Sequence, residues 1–530
     1  MPKTRMSYRG MAVAPHHLAA SAARDVLAEK GNAAEAMIAA AATIAAVYPH
    51  MNHLGGDGFW LLSRPGQAPI GIDACGPAAS AATIDFYRDR DVGASIPTRG
   101  GLAALTVPGA VSGWKQACGL AKSWGGKLPL SRLLEPAIFL ARDGVAVSES
   151  QERLTSEKLS ELRGVPGFSD VFLVDGKAPS RGFRMRQTAL ADTLERLSRA
   201  GLDDFYTGEI GAALAQDLKR AASPVSDVDL ARFDARIVPP LSVPLSSGTV
   251  FNMPPPTQGV ASLAILGVFD RLGVAQGESF EHIHGLVEAT KQAFRMRDAY
   301  VCDPAFMRCS AEELIVADAL DRMAGDIDRR RAAPWPHVAQ PGDTIWMGVI
   351  DAEGRAVSYI QSIYWEFGSG VVSPSTGVLL QNRGISFSLD ETQINALMPG
   401  KRPFHTLNPA MARLADGRQM VYGTMGGEGQ PQTQAAIFTR HVNFGCDLGE
   451  AISAPRWLLG RTWGADSITL KIENDLDPSI VAALSAAGHE VERVAPCNDM
   501  MGHAGAITLS PDGRFEGASD PRSDGAAIGL

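Results

Sequence analysis

Thr344 offers the chemistry worth testing first. It stands one residue, Asp343, after 329–342 (RRRAAPWPHVAQPG), a basic and then proline-rich stretch without periodicity that reads as an exposed linker, and it opens an alternating β pattern. A threonine heading a strand is by itself only a β-branched residue that suits the pleat. Its position changes that reading. A cut between Asp343 and Thr344 would give one residue both a hydroxyl nucleophile and a free α-amine, whose unperturbed pKa of roughly 7.7–8.0 suits a general base. Acyl transfer also needs N–H donors for the tetrahedral oxyanion. Gly423, Thr424, Met425, Gly426 and Gly427 follow one predicted strand and precede a predicted helix, and the paired glycines allow consecutive backbone N–H groups to converge on one point. Among 55 glycines, one such pair is a weak signal taken alone.

The elements that must position these groups can be read from periodicity. Thr344 begins the inner strand of a predicted hairpin, 344–351 and 355–363, turning at Ala352, Glu353 and Gly354. Toward the N-terminus, two helices are separated by Gly31-Asn32, read as a C-cap pair, and a glycine-rich turn at 55–58 leads into a core strand at 59–62. Helical patterns occupy 136–142 and 188–200. A strand from about 249 ends at Met253 and three prolines, a helix follows from about 260, and an amphipathic helix covers 282–300. Beyond the hairpin, strands are expected at 378–381, 409–414, 419–423 and 468–472, and helices at 434–443 and 478–487. The chain thus reads as a mostly helical first part, a linker and a sheet-rich second part, with no repeat of fixed period.

Composition narrows the function classes. A net charge of −9 without any Lys/Arg block argues against a nucleic-acid partner. The apolar run 36–47 is only about half of the roughly 20 residues that span a bilayer, so it predicts a buried helix and no membrane partner. Arg24 and Asp25 interrupt the only other apolar stretch near the N-terminus, against a signal peptide. Cys75, Cys118, Cys302, Cys309, Cys446 and Cys497 are scattered and form no C-x-x-C pair, the pattern of a reduced, cytoplasmic protein. His282 and His284 are spaced so that they diverge on a helix, and no nearby Cys or acid completes a ligand set, so neither metal nor cofactor is expected. His16-His17 reads as a helix entry.

Many short motifs resemble the gamma-glutamyltransferase family, in that family's order and over almost the whole chain. They include Arg9-Gly10-Met11, Gly31-Asn32-Ala33-Ala34-Glu35-Ala36, Gly55-Gly56-Asp57-Gly58-Phe59 and the run 106–114 (TVPGAVSGW). The resemblance continues through residues 253–259 (MPPPTQG), Asp343-Thr344, Val349-Ile350-Asp351, Phe367-Gly368-Ser369-Gly370, Arg402-Pro403 and Gly426-Gly427. It implies an α+β, four-layer αββα sandwich of the N-terminal-nucleophile type. It also implies self-cleavage before Thr344 into a large subunit, 1–343, and a small subunit, 344–530, that share one core, with a dimer of processed heterodimers as the candidate assembly. Thr344 is then the nucleophile, Gly426 and Gly427 are the oxyanion donors, and Ser362, eighteen residues after the nucleophile, is the second hydroxyl where the family usually has Thr.

Departures from the family pattern bear on the substrate. Cys75 stands where the resemblance places the arginine that grips a glutamyl α-carboxylate, and Tyr364, Arg383 and Ser386 replace the residues that hold the α-ammonium; His405-Thr406 replaces paired serines. An ammonium facing Arg383 without an acid would be costly once desolvated. Arg383 instead suits a carboxylate, with Tyr364, His405 and Thr406 completing a small pocket, although Arg383 could also pair structurally with Glu366 or Asp390, and His405 could be a packing residue. The runs 360–370, 380–384 and 426–432 resemble a branch of the family that hydrolyses oxamate, a primary amide beside a carboxylate, to oxalate and ammonia in purine degradation. The expectation is therefore a self-processing amidohydrolase for a small carboxylate-bearing amide. The alternatives are a gamma-glutamyl hydrolase or transferase acting on glutathione, a glutaryl-type acylase, or a non-catalytic protein that kept the fold.

Overall fold

Residues 345–362 form the expected hairpin. Strands Ile345–Asp351 and Ala356–Ser362 pair antiparallel, from Ile345 opposite Gln361 to Ile350 opposite Ala356, and every residue of both is buried. Burial on both faces accounts for their mostly apolar sequences, and the buried Ser358 and Gln361 are hydrogen-bonded to Trp346 and Asn52. The structure, a computed structural model, describes all residues except 1–2, 336–341, 343 and 461–466.

The hairpin lies at the middle of a seven-stranded sheet. Its order is Ala526–Gly529, Gly10–Ala14, Ile345–Asp351, Ala356–Ser362, Asp57–Ser63, Ile70–Ala74 and Arg236–Val238. A second seven-stranded sheet runs Arg5–Ser7, Phe515–Ser519, Ala504–Leu509, Gln419–Thr424, Ala410–Leu414, Gly248–Asn252 and Leu241–Leu245. All the pairings in both are antiparallel. Each sheet contains strands from before and after residue 343.

Three apolar layers separate four layers of structure. Between the sheets lie Met11, Phe59, Leu61, Trp346, Met411, Val421 and Ile507. Helices His17–Ala28, Ala33–Val47, Ala110–Ser123 and Leu130–Asp143 cover the outside of the hairpin's sheet. Helices Gly259–Leu272, Phe280–Tyr300 and Gly429–Phe438 cover the other. This is the expected αββα sandwich. The sheets come close at Trp346: a Cβ on Gly423 would lie 2.2 Å from its Cδ1, and one on Gly505 2.5 Å from its Cζ3. Small residues there are the condition for seating an indole between sheets.

Most predicted elements are present, with physical reasons for the exceptions. Asn32 does not end the first helix; it caps the second, accepting from Ala34 and Glu35 N–H while Glu35 accepts from Asn32 N–H, a reciprocal box. Residues 378–381 make only isolated bridges, Val372 with Leu379 and Gly55 with Leu380, because a loop crosses there instead of a sheet. The helix expected at 434–443 starts earlier, at Gly429, and closes in a π-turn, Thr439–Asn443. His16 is the N-cap of its helix, as its position suggests. The supposed linker is solvent-exposed only in part. Backbone groups at 328–334 are hydrogen-bonded to neighbouring elements and Gly342 is buried, while 336–341 and Asp343 lie outside the described residues.

Candidate active site

The hairpin register sets the first pair of groups. Continuing it one step beyond Ile345–Gln361 puts Thr344 opposite Ser362, and both are buried. Ser362 ends its strand opposite Asp57, and its Oγ accepts the Tyr364 N–H at 2.8 Å. That bond bends the chain, and Tyr364 adopts φ +82°, a left-handed conformation that a bulky residue takes only when surrounding contacts hold it there.

Arg383 stacks on the Tyr364 ring, its Cζ 3.5 Å from the centroid. It is fully buried, and its Nη1 and Nη2 donate weakly to Thr406 Oγ1 at 3.4 and 3.3 Å, while Nε has no partner. Neither acid considered from the sequence compensates it. Glu366 faces Lys158 at 4.0 Å, and the Asp390 carboxylate accepts from Thr392 and Gln393. Burial lowers the Arg383 pKa to about 10, so it remains a cation at neutral pH. Among the described residues, it forms no ion pair. A buried guanidinium in that condition favours an incoming anion.

The contacts form a closed circuit. Thr406 carbonyl accepts from Gln258 Nε2 at 2.8 Å, and the same nitrogen donates to the Gly427 carbonyl at 2.8 Å. Gly426 and Gly427 have φ +114° and +49°, so the loop between strand Gln419–Thr424 and helix Gly429–Phe438 turns through two left-handed positions. A Cβ on Gly342 would lie 3.2 Å from Gly427 Cα and 3.0 Å from Tyr364 Cε2. The residue two places before Thr344 thus rests against both the glycine loop and the ring that carries Arg383.

His405 belongs to the same cluster, and it is more than a packing residue. Its Nε2 faces Asp57 Oδ2 at 3.0 Å, and Phe59 meets its ring edge-on. Asp57 Oδ1 accepts from Gly76 N–H, Gly109 N–H and Gln381 Nε2 at 3.0 to 3.2 Å. Burial raises the Asp57 pKa to about 7 and pushes the imidazole well below its ordinary value, with Arg383 adding to the second shift. The imidazole is therefore held neutral, and its Nδ1 is left buried without a partner. Cys75 lies beside both, its thiol pKa raised by burial, at the end of a 490 Å³ cavity that also reaches Asp73 and Arg402. A separate 580 Å³ cavity opens onto Tyr364, Phe404 and Glu428.

Among the described residues, two groups of potential metal ligands occur, Asp57 with Cys75 and His405, and His284 with Glu288 and His489. The second corrects the expectation that no acid accompanies His284. His282 and His284 do diverge: His282 Nε2 meets Thr439 Oγ1, whereas His284 Nδ1 meets His489 Nε2, each at 2.8 Å. In both clusters the ligand atoms already hydrogen-bond within the protein, and Glu288 carries the ammonium of Lys291 at 2.7 Å. Asp57 and Gln258, which hold His405 and the glycine loop, were not singled out from the sequence. The available signals were an acid set between glycines at the mouth of a core strand and a glutamine after three prolines.

Comparison with known proteins agrees with this geometry. The family described as gamma-glutamyltranspeptidase matches residues 19–530. The oxamate amidohydrolase proenzyme of Klebsiella pneumoniae is 53% identical over 530 residues, covering 100% of both chains. The glutathione hydrolase proenzyme of Escherichia coli is 30% identical over 541 residues, covering 97% of this chain and 90% of its own. A cephalosporin acylase from Bacillus halodurans superposes with a TM-score of 0.91 at 29% identity, covering 100% of this chain and 97% of its own. With its motifs in order, its two antiparallel sheets and a buried threonine heading the central hairpin, this chain belongs to the gamma-glutamyltranspeptidase family of N-terminal-nucleophile hydrolases.

Proposed function

We propose that the protein is a self-processing amidohydrolase for a small amide carrying a carboxylate, with oxamate as the preferred substrate. The observation that carries this reading is Arg383: a fully buried cation, stacked on Tyr364 and without an ion pair among the described residues, in contact with the groups around Thr344. The name of the Klebsiella relative supports the substrate, and the word proenzyme in the names of both relatives supports processing.

In maturation, Thr344 Oγ attacks the Asp343 carbonyl carbon, the peptide C–N bond breaks in an N-to-O acyl shift, and water hydrolyses the ester. The products are a large subunit ending at Asp343 and a small subunit beginning at Thr344. In turnover the free α-amine takes the Thr344 hydroxyl proton as Oγ attacks the amide carbonyl. Gly426 and Gly427 N–H groups stabilise the oxyanion, and Ser362 orients the amine. Collapse expels ammonia with the proton returned by the amine, and water then releases the acid from Thr344. Arg383 holds the substrate carboxylate in a two-point fork, with Thr406 orienting the guanidinium and Tyr364 and His405 closing the pocket.

A glutaryl-type acylase is the second reading, favoured by the structural likeness to the Bacillus acylase and by the 580 Å³ cavity beside Tyr364, which could lodge a longer acyl chain. Hydrolysis by the split protein across oxamate, a gamma-glutamyl anilide and a glutaryl amide separates the readings. Preference for either of the latter two overturns the oxamate assignment.

A further inference from the structure

The long helix Phe280–Tyr300 carries a polar stripe, His284, Glu288, Lys291 and Arg295, on a side where packing alone would want apolar residues. The spacing of four, three and four keeps all four on one face. Each binds the backbone of the chain approaching the proposed scissile bond. His284 Nε2 contacts the Asp328 carbonyl at 2.8 Å and so must donate, which leaves Nδ1 to accept from His489 Nε2. Glu288 Oε2 accepts the Ala333 N–H at 3.1 Å, Lys291 Nζ donates to the Ala333 carbonyl at 2.6 Å, and Arg295 Nη2 donates to the Pro334 carbonyl at 2.8 Å. Ala332 N–H adds a bond to the Ala487 carbonyl at 2.8 Å.

The dimensions agree. From residue 284 to 295 a helix rises about 16 Å, and six residues of chain, 328 to 334, reach at most about 20 Å and less here, because 329–331 bend as Arg330 and Arg331 N–H donate to Asp328 Oδ1. The arm therefore runs alongside the helix, one anchor per turn. The same helix also braces the other side of the site. Arg297 lies 3.2 Å from Glu428 and donates to Gln258 Oε1 at 3.0 Å, and Gln258 holds the Gly427 carbonyl. One rigid element thus fixes both the arm that precedes Thr344 and the glycine loop against which Gly342 rests.

We infer that the stripe His284, Glu288, Lys291 and Arg295 is a positioning device for self-cleavage, setting the scissile segment against the glycine loop. This rests on the self-processing reading above. Beyond its own helix the stripe touches the arm and His489, and among the described residues none of its hydrogen bonds reaches Thr344, Arg383 or the glycine loop, so it acts on maturation and leaves turnover of the matured enzyme unaffected. A misplacement of the order of 1 Å in a reacting pair costs on the order of a hundredfold in rate, which is the scale of effect available to such a device.

The test follows splitting of the full-length chain on a denaturing gel, with amide hydrolysis measured per split molecule. Glu288→Leu with Lys291→Met replaces a buried pair by apolar groups of similar volume, a change that folds often tolerate. It should slow splitting at least about tenfold, and the half-exposed Arg295→Ala, losing one charged hydrogen bond, by about threefold or more. In both, kcat/KM per split molecule should stay within about twofold of the parent. The inference is overturned if both variants split at the parent rate, or if hydrolysis per split molecule falls in parallel with splitting. Thermal unfolding of Arg295→Ala at the parent temperature excludes misfolding as the cause of slow maturation. A parent chain that never splits would instead overturn the self-processing reading itself.

Discussion

Arg383 is where the substrate proposal can be broken most directly. Replacing it by Ala would leave the substrate carboxylate unpaired in a closed pocket, a loss of roughly 2–5 kcal/mol, or about 30- to several-thousand-fold in kcat/KM. Arg383→Lys should recover only part, because a point charge cannot reproduce the planar fork. Splitting of the precursor should continue in both, since no substrate carboxylate takes part in it. Thr344→Ala should remain a single chain on a denaturing gel and be inactive; cleavage at the same bond in that variant would show that another agent cuts it. The pH profile tests the base. The amine acts only when deprotonated, so turnover should be full above its pKa and fall as pH drops through it, with an unperturbed value of roughly 7.7–8.0. The Asp57–His405 pair is the competitor, because burial raises the Asp57 pKa to about 7. Asp57→Asn keeps an acceptor for three N–H donors and can donate to His405 Nε2. It should therefore lower the rate without moving the midpoint, whereas a displaced acid limb in that variant would remove the amine from its role. The sequence marked Thr344 and the glycine loop as candidates through linker, strand and turn chemistry, and Arg383 through its departure from the family pattern. Asp57 was silent because its partners come from residues 76, 109, 381 and 405, distances along the chain that no local pattern reports.

Elements behave as periodicity predicts wherever one segment chooses its own conformation. Helix Thr188–Ala200 and the central hairpin coincide closely with their patterns. Misreadings occur where tertiary contacts decide. Asn32 could have ended one helix or begun the next, and Glu35 settled it by closing the reciprocal box. Residues 378–381 have a strand's composition, yet the loop contacts at Gly55 and Val372 leave them no neighbouring strand. The approach of strand Gln419–Thr424 to Trp346 makes its own prediction. Gly423→Ala would place a methyl 2.2 Å from the indole, too close without separating the sheets, and should destabilise the fold by about 1–3 kcal/mol. The measurement is a lowered urea midpoint at unchanged slope, made on the Thr344→Ala background so that one chain is followed.

Across the whole molecule, the proposed point of division at 343 and the architecture do not coincide. Strand Gly10–Ala14 pairs with Ile345–Asp351 on one side and Ala526–Gly529 on the other, and Gly248–Asn252 pairs with Ala410–Leu414. Each sheet is a weave of both pieces, so the split protein should elute from gel filtration as one species and separate only under denaturing conditions. No boundary of this kind was visible in the sequence, where a helical first part and a sheet-rich second part suggested successive regions; only the resemblance pointed to a shared core. Under the proposed cleavage, the weave would also make folding and cutting irreversible as a sequence of events. Before the cut, every ladder closes within one molecule, at the effective concentration of a tethered partner. Afterwards, unfolding would release two fragments that must find each other by diffusion, each exposing unpaired strand edges meanwhile. The precursor peptide bond would therefore act as a single-use folding scaffold, and the mature protein would persist because its barrier to unfolding is high rather than because it can reassemble.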